Sequence, residues 1–186
     1  MKVGVLALQG DSREHLELLK EIGVETVAVK TVTDLSQADA LIIPGGESTT
    51  ISKLLVLFDL LEPIREFAAS KPVMGTCAGL ILLSDKVSGA LAGQELIGGL
   101  PVTTERNSYG GQLQSFEATV QYSDGISEQV AFIRAPRILD PGPCEVVAEY
   151  ENEIVAVRFG NLFGASFHPE MTGAKHLHKL FVSSIK

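Results

Sequence analysis

The sequence predicts an α/β fold in three layers, a mostly parallel open sheet with helices on both faces and added antiparallel strands in the C-terminal half. Three observations predict it. Up to about residue 100, apolar strands alternate with helical patterns, the order that builds a parallel sheet covered by helices. Beyond that point the apolar period shortens toward two, as in strands paired through hairpins. Finally, Pro72-Val73-Met74-Gly75-Thr76-Cys77-Ala78-Gly79 runs apolar into a cysteine bracketed by small residues and resumes as Leu80-Ile81-Leu82-Leu83. That is strand, sharp turn and helix, with a thiol at the turn.

In chain order, Val3 to Leu8 reads as the first strand, and a helix follows from Asp11. Asp11 is placed to cap that helix with Glu14 as its box partner, Leu16, Leu19 and Ile22 form its buried stripe, and Gly23 ends it. Strands follow at Thr26 to Lys30 and Ala40 to Ile43, then a helix from about Thr49 that Pro63 interrupts, starting a new one. Val73 leads into the turn at Cys77. The stretch Ser84 to Gly99, rich in Gly and small residues, is expected to be a mobile surface loop. Phe116 to Tyr122, Val130 to Arg134, Glu145 to Tyr150 and Ile154 to Phe159 read as hairpin strands, with Glu151-Asn152 and Gly160-Asn161 at the turns. A helix from about Ala174 to Ser184 closes the chain.

With 186 residues, 45% of them hydrophobic, the chain has the size of a single domain, residues 1 to 186, with one buried core. A net charge of -8 without an acidic or basic block argues against a nucleic-acid or anionic-membrane partner. The apolar run at Val3 to Leu8 is too short for a signal-peptide core or a membrane span, so the expected location is cytoplasmic. Cys77 and Cys144 are expected to be free thiols, Cys144 a structural one at the start of a strand.

The G-x-C-x-G spacing around Cys77 matches the elbow of G-x-S-x-G enzymes, where flanking glycines let strand and helix pack closely while the nucleophile projects from the sheet. A thiol nucleophile needs an imidazole to take its proton, and the imidazole needs a carboxylate to fix its tautomer. Ala165-Ser166-Phe167-His168-Pro169-Glu170 offers both at a strand end. Alone, a cysteine after an apolar strand is more often a small buried residue, and His-Pro-Glu more often a loop. Both lie at predicted carboxyl ends of strands, where sites of open parallel sheets form, and together they favour catalysis. His15, His176 and His178 fall on helix patterns and read as surface or packing residues, and no spacing suggests a metal site.

Leu41-Ile42-Ile43-Pro44-Gly45-Gly46-Glu47-Ser48-Thr49-Thr50 runs from a strand through two glycines into a helix. Neither the Walker pattern nor the dinucleotide fingerprint is present. An oxyanion hole fits better, with the N–H groups of Gly46 and Ala78 as donors. A plain turn capped by Ser48 or Thr49 is an equally good reading of that segment alone.

Gly75-Thr76-Cys77-Ala78-Gly79 with His168-Pro169-Glu170 downstream resembles the class I (triad) glutamine amidotransferases. More narrowly, Leu8-Gln9-Gly10, Arg13-Glu14-His15, Pro44 to Thr50, Glu105-Arg106-Asn107-Ser108, Ser115-Phe116-Glu117 and Phe132-Ile133-Arg134-Ala135-Pro136 resemble the glutaminase subunits of pyridoxal phosphate synthase. The resemblance covers essentially the whole chain. It implies hydrolysis of L-glutamine to glutamate and ammonia, with Cys77, His168 and Glu170 as the triad and Gly46, Glu47, Ser48, Arg106, Ile133 and Arg134 holding glutamine. It also implies a partner, a synthase subunit built as a (β/α)8 barrel that takes the ammonia to make pyridoxal phosphate, and no cofactor. The departures from the family's pattern lie between Asp85 and Gly99 and at Gly111. Rival readings are a glutaminase serving another synthase, a γ-glutamyl cysteine hydrolase, which turns over extended substrates without a partner, and a regulatory subunit that binds glutamine without turnover.

Overall fold

A computed structural model describes residues 1–106 and 115–185. Asn107, Ser108 and Gly111 therefore lie outside the described residues. The first half runs β1 (Lys2–Leu6), α1 (Ser12–Glu21), β2 (Glu25–Val29), α2 (Val32–Ser36), β3 (Ala40–Ile43), α3 (Ser48–Leu57), α4 (Leu61–Ser70), β4 (Val73–Thr76) and α5 (Ala78–Leu83). The second runs β5 (Ser84–Ser88), β6 (Leu100–Glu105), β7 (Phe116–Tyr122), β8 (Ser127–Phe132), β9 (Arg137–Asp140), β10 (Glu145–Tyr150), β11 (Glu153–Phe159), β12 (Leu162–Ala165) and α6 (His176–Ser183).

The main sheet has the order β2-β1-β3-β4-β12-β11-β10-β7-β8. From β2 to β12 its neighbours are parallel, and from β12 to β8 they are antiparallel. The expected parallel sheet with antiparallel additions is thus one continuous surface, and β12 is the strand where the two regimes meet. It pairs with β4 in parallel, Ala165 opposite Thr76, so the two chains leave the sheet side by side at the same edge.

Alternation along β3 divides the core. Leu41 and Ile43 join a cluster that includes Ile51 and Leu55 of α3, Ile64 of α4 and Leu80 of α5. Ala40 and Ile42 join a second cluster with Leu19 of α1 and Leu177 and Phe181 of α6. Residues i and i+2 of a strand share a face, so these two clusters are the two sides of the sheet. Both strands around the β10–β11 turn end in the left-handed pair Glu151 (φ 49°) and Asn152 (φ 66°), which a tight hairpin of the native twist requires.

Several boundaries differ from the sequence reading for physical reasons. Pro63 lies in the first turn of α4, where its missing N–H has no helical partner to lose, and the break before it is made at Asp59 (φ 54°). The short α2 was not expected; Thr31 and Asp34 form a capping box that starts it. Ser84 to Gly99 is not wholly a loop. Its first five residues are β5, which pairs with β6 in a second sheet of order β5-β6-β9. The remainder is tied down where Arg65 Nε donates to the Leu96 carbonyl at 3.1 Å and Ser52 exchanges hydrogen bonds with Glu95. Cys144 precedes β10, packs against the core, and is free, as is Cys77; burial raises the pKa of the Cys144 thiol.

Candidate active site

Cys77 stands between β4 and α5 with φ 47° and ψ -101°, a left-handed backbone that a residue with a Cβ adopts only under constraint. Strain of this kind concentrates where a nucleophile is presented. The glycines around it are needed sterically: a Cβ on Gly75 would collide with the backbone of Gly79, and one on Gly79 with the carbonyl of Ile43. The Cys77 N–H donates to the Ala165 carbonyl at 2.8 Å, so the elbow is fastened to β12, the strand that delivers the histidine.

His168 follows β12 and is buried. Its backbone N–H donates to the Ala131 carbonyl at 2.8 Å, which anchors the loop to β8. Its ring Nδ1 lies 2.8 Å from Glu170 Oε1 and 3.2 Å from Asp11 Oδ2. Nδ1 therefore carries the proton shared by the two carboxylates, and Nε2 is left without a hydrogen-bond partner among the described residues. The Cys77 thiol donates to the Ile133 carbonyl at a sulfur distance of 3.7 Å. Burial disfavours charge on His168, but the contacts with Asp11, the neighbouring Cys77 thiol and Glu170 outweigh it and hold the imidazolium well above the ordinary histidine range. For Glu170 the balance is reversed: burial raises its carboxyl pKa more than the bond to His168 lowers it.

A cleft of about 200 Å³ opens over these groups. At roughly 30 Å³ per water it has the volume of about seven waters, the scale of a small metabolite. Gly46, Glu47, Ser48, Cys77, Arg106, Ile133, Arg134 and His168 line it, so eight of the nine residues expected from sequence converge there. Glu170, the ninth, sits behind His168 with its side chain fully buried.

Glu47 is the N-cap of α3, displacing Ser48 and Thr49 from that expected role. Its carboxylate accepts from the Thr50 N–H at 2.9 Å and from the Thr49 hydroxyl, and its other oxygen pairs with Arg106 at 2.9 Å. Burial alone would raise its pKa, but bonds from Thr49 and Thr50 and the Arg106 charge lower it. Ser48 is buried and its hydroxyl has no partner among the described residues. Arg134 (φ 47°) is exposed at the rim.

Asp11 and His15 are what sequence reasoning missed. Asp11 makes no side-chain cap to α1; its carboxylate faces His168, and its backbone N–H donates to the Gly45 carbonyl at 3.1 Å. Since a trans peptide points its N–H away from its C=O, the Gly46 N–H faces away from Asp11. Gly45 itself packs so closely beneath the His168 ring that a Cβ there would overlap it. Gln9 completes this corner by accepting the Glu47 N–H at 2.9 Å. His15 is fully buried beside Glu170, with its Nε2 3.5 Å from Oε2. No local pattern marks these roles, because each residue meets its partner, His168 or His178, only when elements distant in sequence come together. Asp11, His168 and Glu170 also bring donor atoms within 4.8 Å of one another, a cluster the sequence spacing did not suggest. The proton on His168 Nδ1 accounts for that proximity.

A profile of the SNO glutamine amidotransferase family matches residues 5–186. The chain belongs to this family. Its relatives include the pyridoxal 5'-phosphate synthase subunit PdxT of Parafrankia sp. (strain EAN1pec), 48% identical over 100% of this chain and 93% of that protein. The protein of the same name from Mycolicibacterium smegmatis is 48% identical and covers 98% of each. A crystal structure described as a glutamine amidotransferase superposes with a TM-score of 0.91 at 41% identity, covering 98% of both chains. The family match therefore spans every residue that lines the cleft over Cys77.

Proposed function

We propose that this chain is the glutaminase subunit of a pyridoxal 5'-phosphate synthase, a single-domain enzyme that hydrolyses L-glutamine to L-glutamate and ammonia through Cys77, His168 and Glu170. The observation that carries the reading is the hydrogen bond of 2.8 Å between His168 Nδ1 and the buried Glu170 Oε1, behind a cleft that His168 and Cys77 both line. With Nδ1 engaged, Nε2 is the ring nitrogen able to exchange a proton with the thiol. The family and the names of the relatives support the choice of glutamine and of the pathway.

In the proposed mechanism the Cys77 proton rests on His168 Nε2 at the outset, in the imidazolium that its neighbours favour, and Sγ attacks the carboxamide carbon of glutamine. The carbonyl oxygen becomes an oxyanion held by the N–H groups of Gly46 and Ala78. His168 returns the proton to the departing nitrogen, the C–N bond breaks, and ammonia leaves a glutamyl thioester. Water then gives a proton to His168, its oxygen attacks the thioester carbon, and the C–S bond breaks to release glutamate. The Asp11 and Glu170 carboxylates steady the imidazolium in both halves. Arg106 and Arg134 offer cations to the α-carboxylate of glutamine, while Glu47, the Ser48 hydroxyl and the Ile133 backbone position its polar groups.

Ammonia in neutral water is mostly protonated and no longer nucleophilic, so its release is productive only beside an acceptor. We assign that role to a synthase subunit built as a (β/α)8 barrel, in a cytoplasmic heteromeric complex. Among the described residues no helix is long and apolar enough to cross a membrane. The test is glutamate release from L-glutamine by the purified chain, alone and with the synthase subunit. The reading predicts release that rises on adding the partner. It is contradicted by full activity in the isolated chain that the partner does not raise, or by turnover of extended γ-glutamyl substrates instead.

A further inference from the structure

Behind the catalytic groups lies a buried polar file that the proposed mechanism does not use. His15 of α1 and His178 of α6 are both fully buried, and so is Thr76, the residue before the nucleophile. His15 Nδ1 is 2.8 Å from His178 Nε2, while His15 Nε2 is 3.2 Å from Thr76 Oγ1 and 3.5 Å from Glu170 Oε2. Two imidazoles in an apolar core are costly unless their nitrogens are satisfied; three of the four have a partner, and His178 Nδ1 has none among the described residues in either proton arrangement. Burial, foremost, lowers the pKa of both, so each is neutral and carries one ring proton.

Only two arrangements of those protons fit an Nδ1 to Nε2 hydrogen bond. If His15 Nδ1 were the donor, its Nε2 lone pair would face the second oxygen of a buried carboxylate that has no hydrogen-bond partner among the described residues. In an interior of low dielectric that juxtaposition is repulsive. In the other arrangement His178 Nε2–H donates to His15 Nδ1, and the His15 Nε2–H is directed between Thr76 Oγ1 and Glu170 Oε2. The second gives both Glu170 oxygens a facing N–H, from His168 on one side and His15 on the other.

We propose that His15 is a positioning residue for the glutaminase reaction, holding Glu170 ionised and aimed at His168, and that His178 fixes the tautomer in which His15 does so. This rests on the reading of Cys77, His168 and Glu170 as the triad. The last helix of the chain is thereby linked to the nucleophile through four side chains: His178, His15, Glu170 and His168. Glu170 is otherwise faced by the charges of His168 and Asp11, and His15 by His178 and His168. Removing the His15 N–H makes the Glu170 anion easier to protonate, which moves the acidic limb of the rate profile to higher pH.

The test compares His15→Leu with His15→Gln, and His178→Leu with His178→Gln, each as the full chain assayed with its synthase partner. Loss of the partner that orients a metal-ligating side chain costs roughly tenfold to a hundredfold, and the same scale is taken for the partner that orients Glu170. His15→Leu is expected to lose that much in kcat with KM for glutamine unchanged and with the acidic limb shifted upward. His15→Gln, which keeps a donor near the same place, is expected to recover most of it, and the His178 pair to behave in parallel with a smaller loss. Independently of activity, nitrogen NMR of the wild-type rings at neutral pH is expected to find both histidines neutral with the proton on Nε2. A proton on His15 Nδ1 overturns the proposal. So does a folded His15→Leu protein with wild-type kcat and pH profile, or equal losses in the Leu and Gln variants that follow thermal stability. Activity persisting in Cys77→Ala would instead overturn the triad reading beneath it.

Discussion

Cys77 and His168 follow β4 and β12, two strands paired in register through Thr76 and Ala165, whereas Glu47, Arg106, Ile133 and Arg134 reach the cleft from a helix start and from strand ends beyond that pair. On the first side the backbone does the holding: the Cys77 N–H is bonded to Ala165 and the His168 N–H to Ala131. On the second, side chains do it, chiefly the Arg106 to Glu47 ion pair and the bonds of Glu47 to the first turn of α3. Sheet register fixes positions to a fraction of an ångström, and a half-buried ion pair holds a long side chain less firmly. The groups proposed to react thus sit on the rigid side and the groups proposed to hold substrate on the adaptable one. Changes on the first side should act on kcat, and on the second mainly on KM.

The largest expected effect is that of Cys77→Ala, which should abolish glutamate release, a loss on the order of 10⁴-fold or more, while calorimetry still detects glutamine binding. Glu170→Gln keeps the shape of the buried side chain and removes its charge. It should lower kcat by roughly 10²- to 10⁴-fold with little change in KM. Arg106→Ala tests the other side: losing a charge-assisted contact of about 1.5–3 kcal/mol should raise KM for glutamine about tenfold to a hundredfold at nearly constant kcat. Steady-state kinetics in which Arg106→Ala lowers kcat as much as Glu170→Gln does would erase the distinction between the two sides.

The smallest effect concerns stability. His168 is held above its ordinary pKa of 6.5, so the stabilisation from its carboxylate contacts is complete below that value and fades as pH rises through the raised one. Urea midpoints of wild type and His168→Gln should therefore converge as pH is taken upward through that range. A difference that grows with pH would mean that His168 is favoured neutral in the folded protein.

The rigid side was the legible one. A cysteine between small residues and a histidine two positions before a glutamate are both local patterns, and the rule that sites form at the carboxyl ends of parallel strands joins them across about ninety residues of chain. What escaped was whatever depends on partners distant in sequence. Asp11 has the look of a helix cap until β1 and β12 are laid in one sheet, and His15 that of a packing residue until α6 brings His178 against it. The second sheet escaped because β5 is polar and exposed on most of its length and gains its identity only by pairing with β6, Ser84 opposite Leu100. The turn at Asp59 was attributed to Pro63 because a proline is a stronger sequence mark than a left-handed aspartate.

The most direct measurement is peptide mass spectrometry of the complex quenched with acid during turnover of glutamine. A thiol nucleophile placed by the β4–β12 pair predicts an added mass equal to glutamine less ammonia on the peptide carrying Cys77, absent from Cys77→Ala. Glutamate formed at the wild-type rate with no adduct on Cys77, and unaffected by Cys77→Ala, would contradict it.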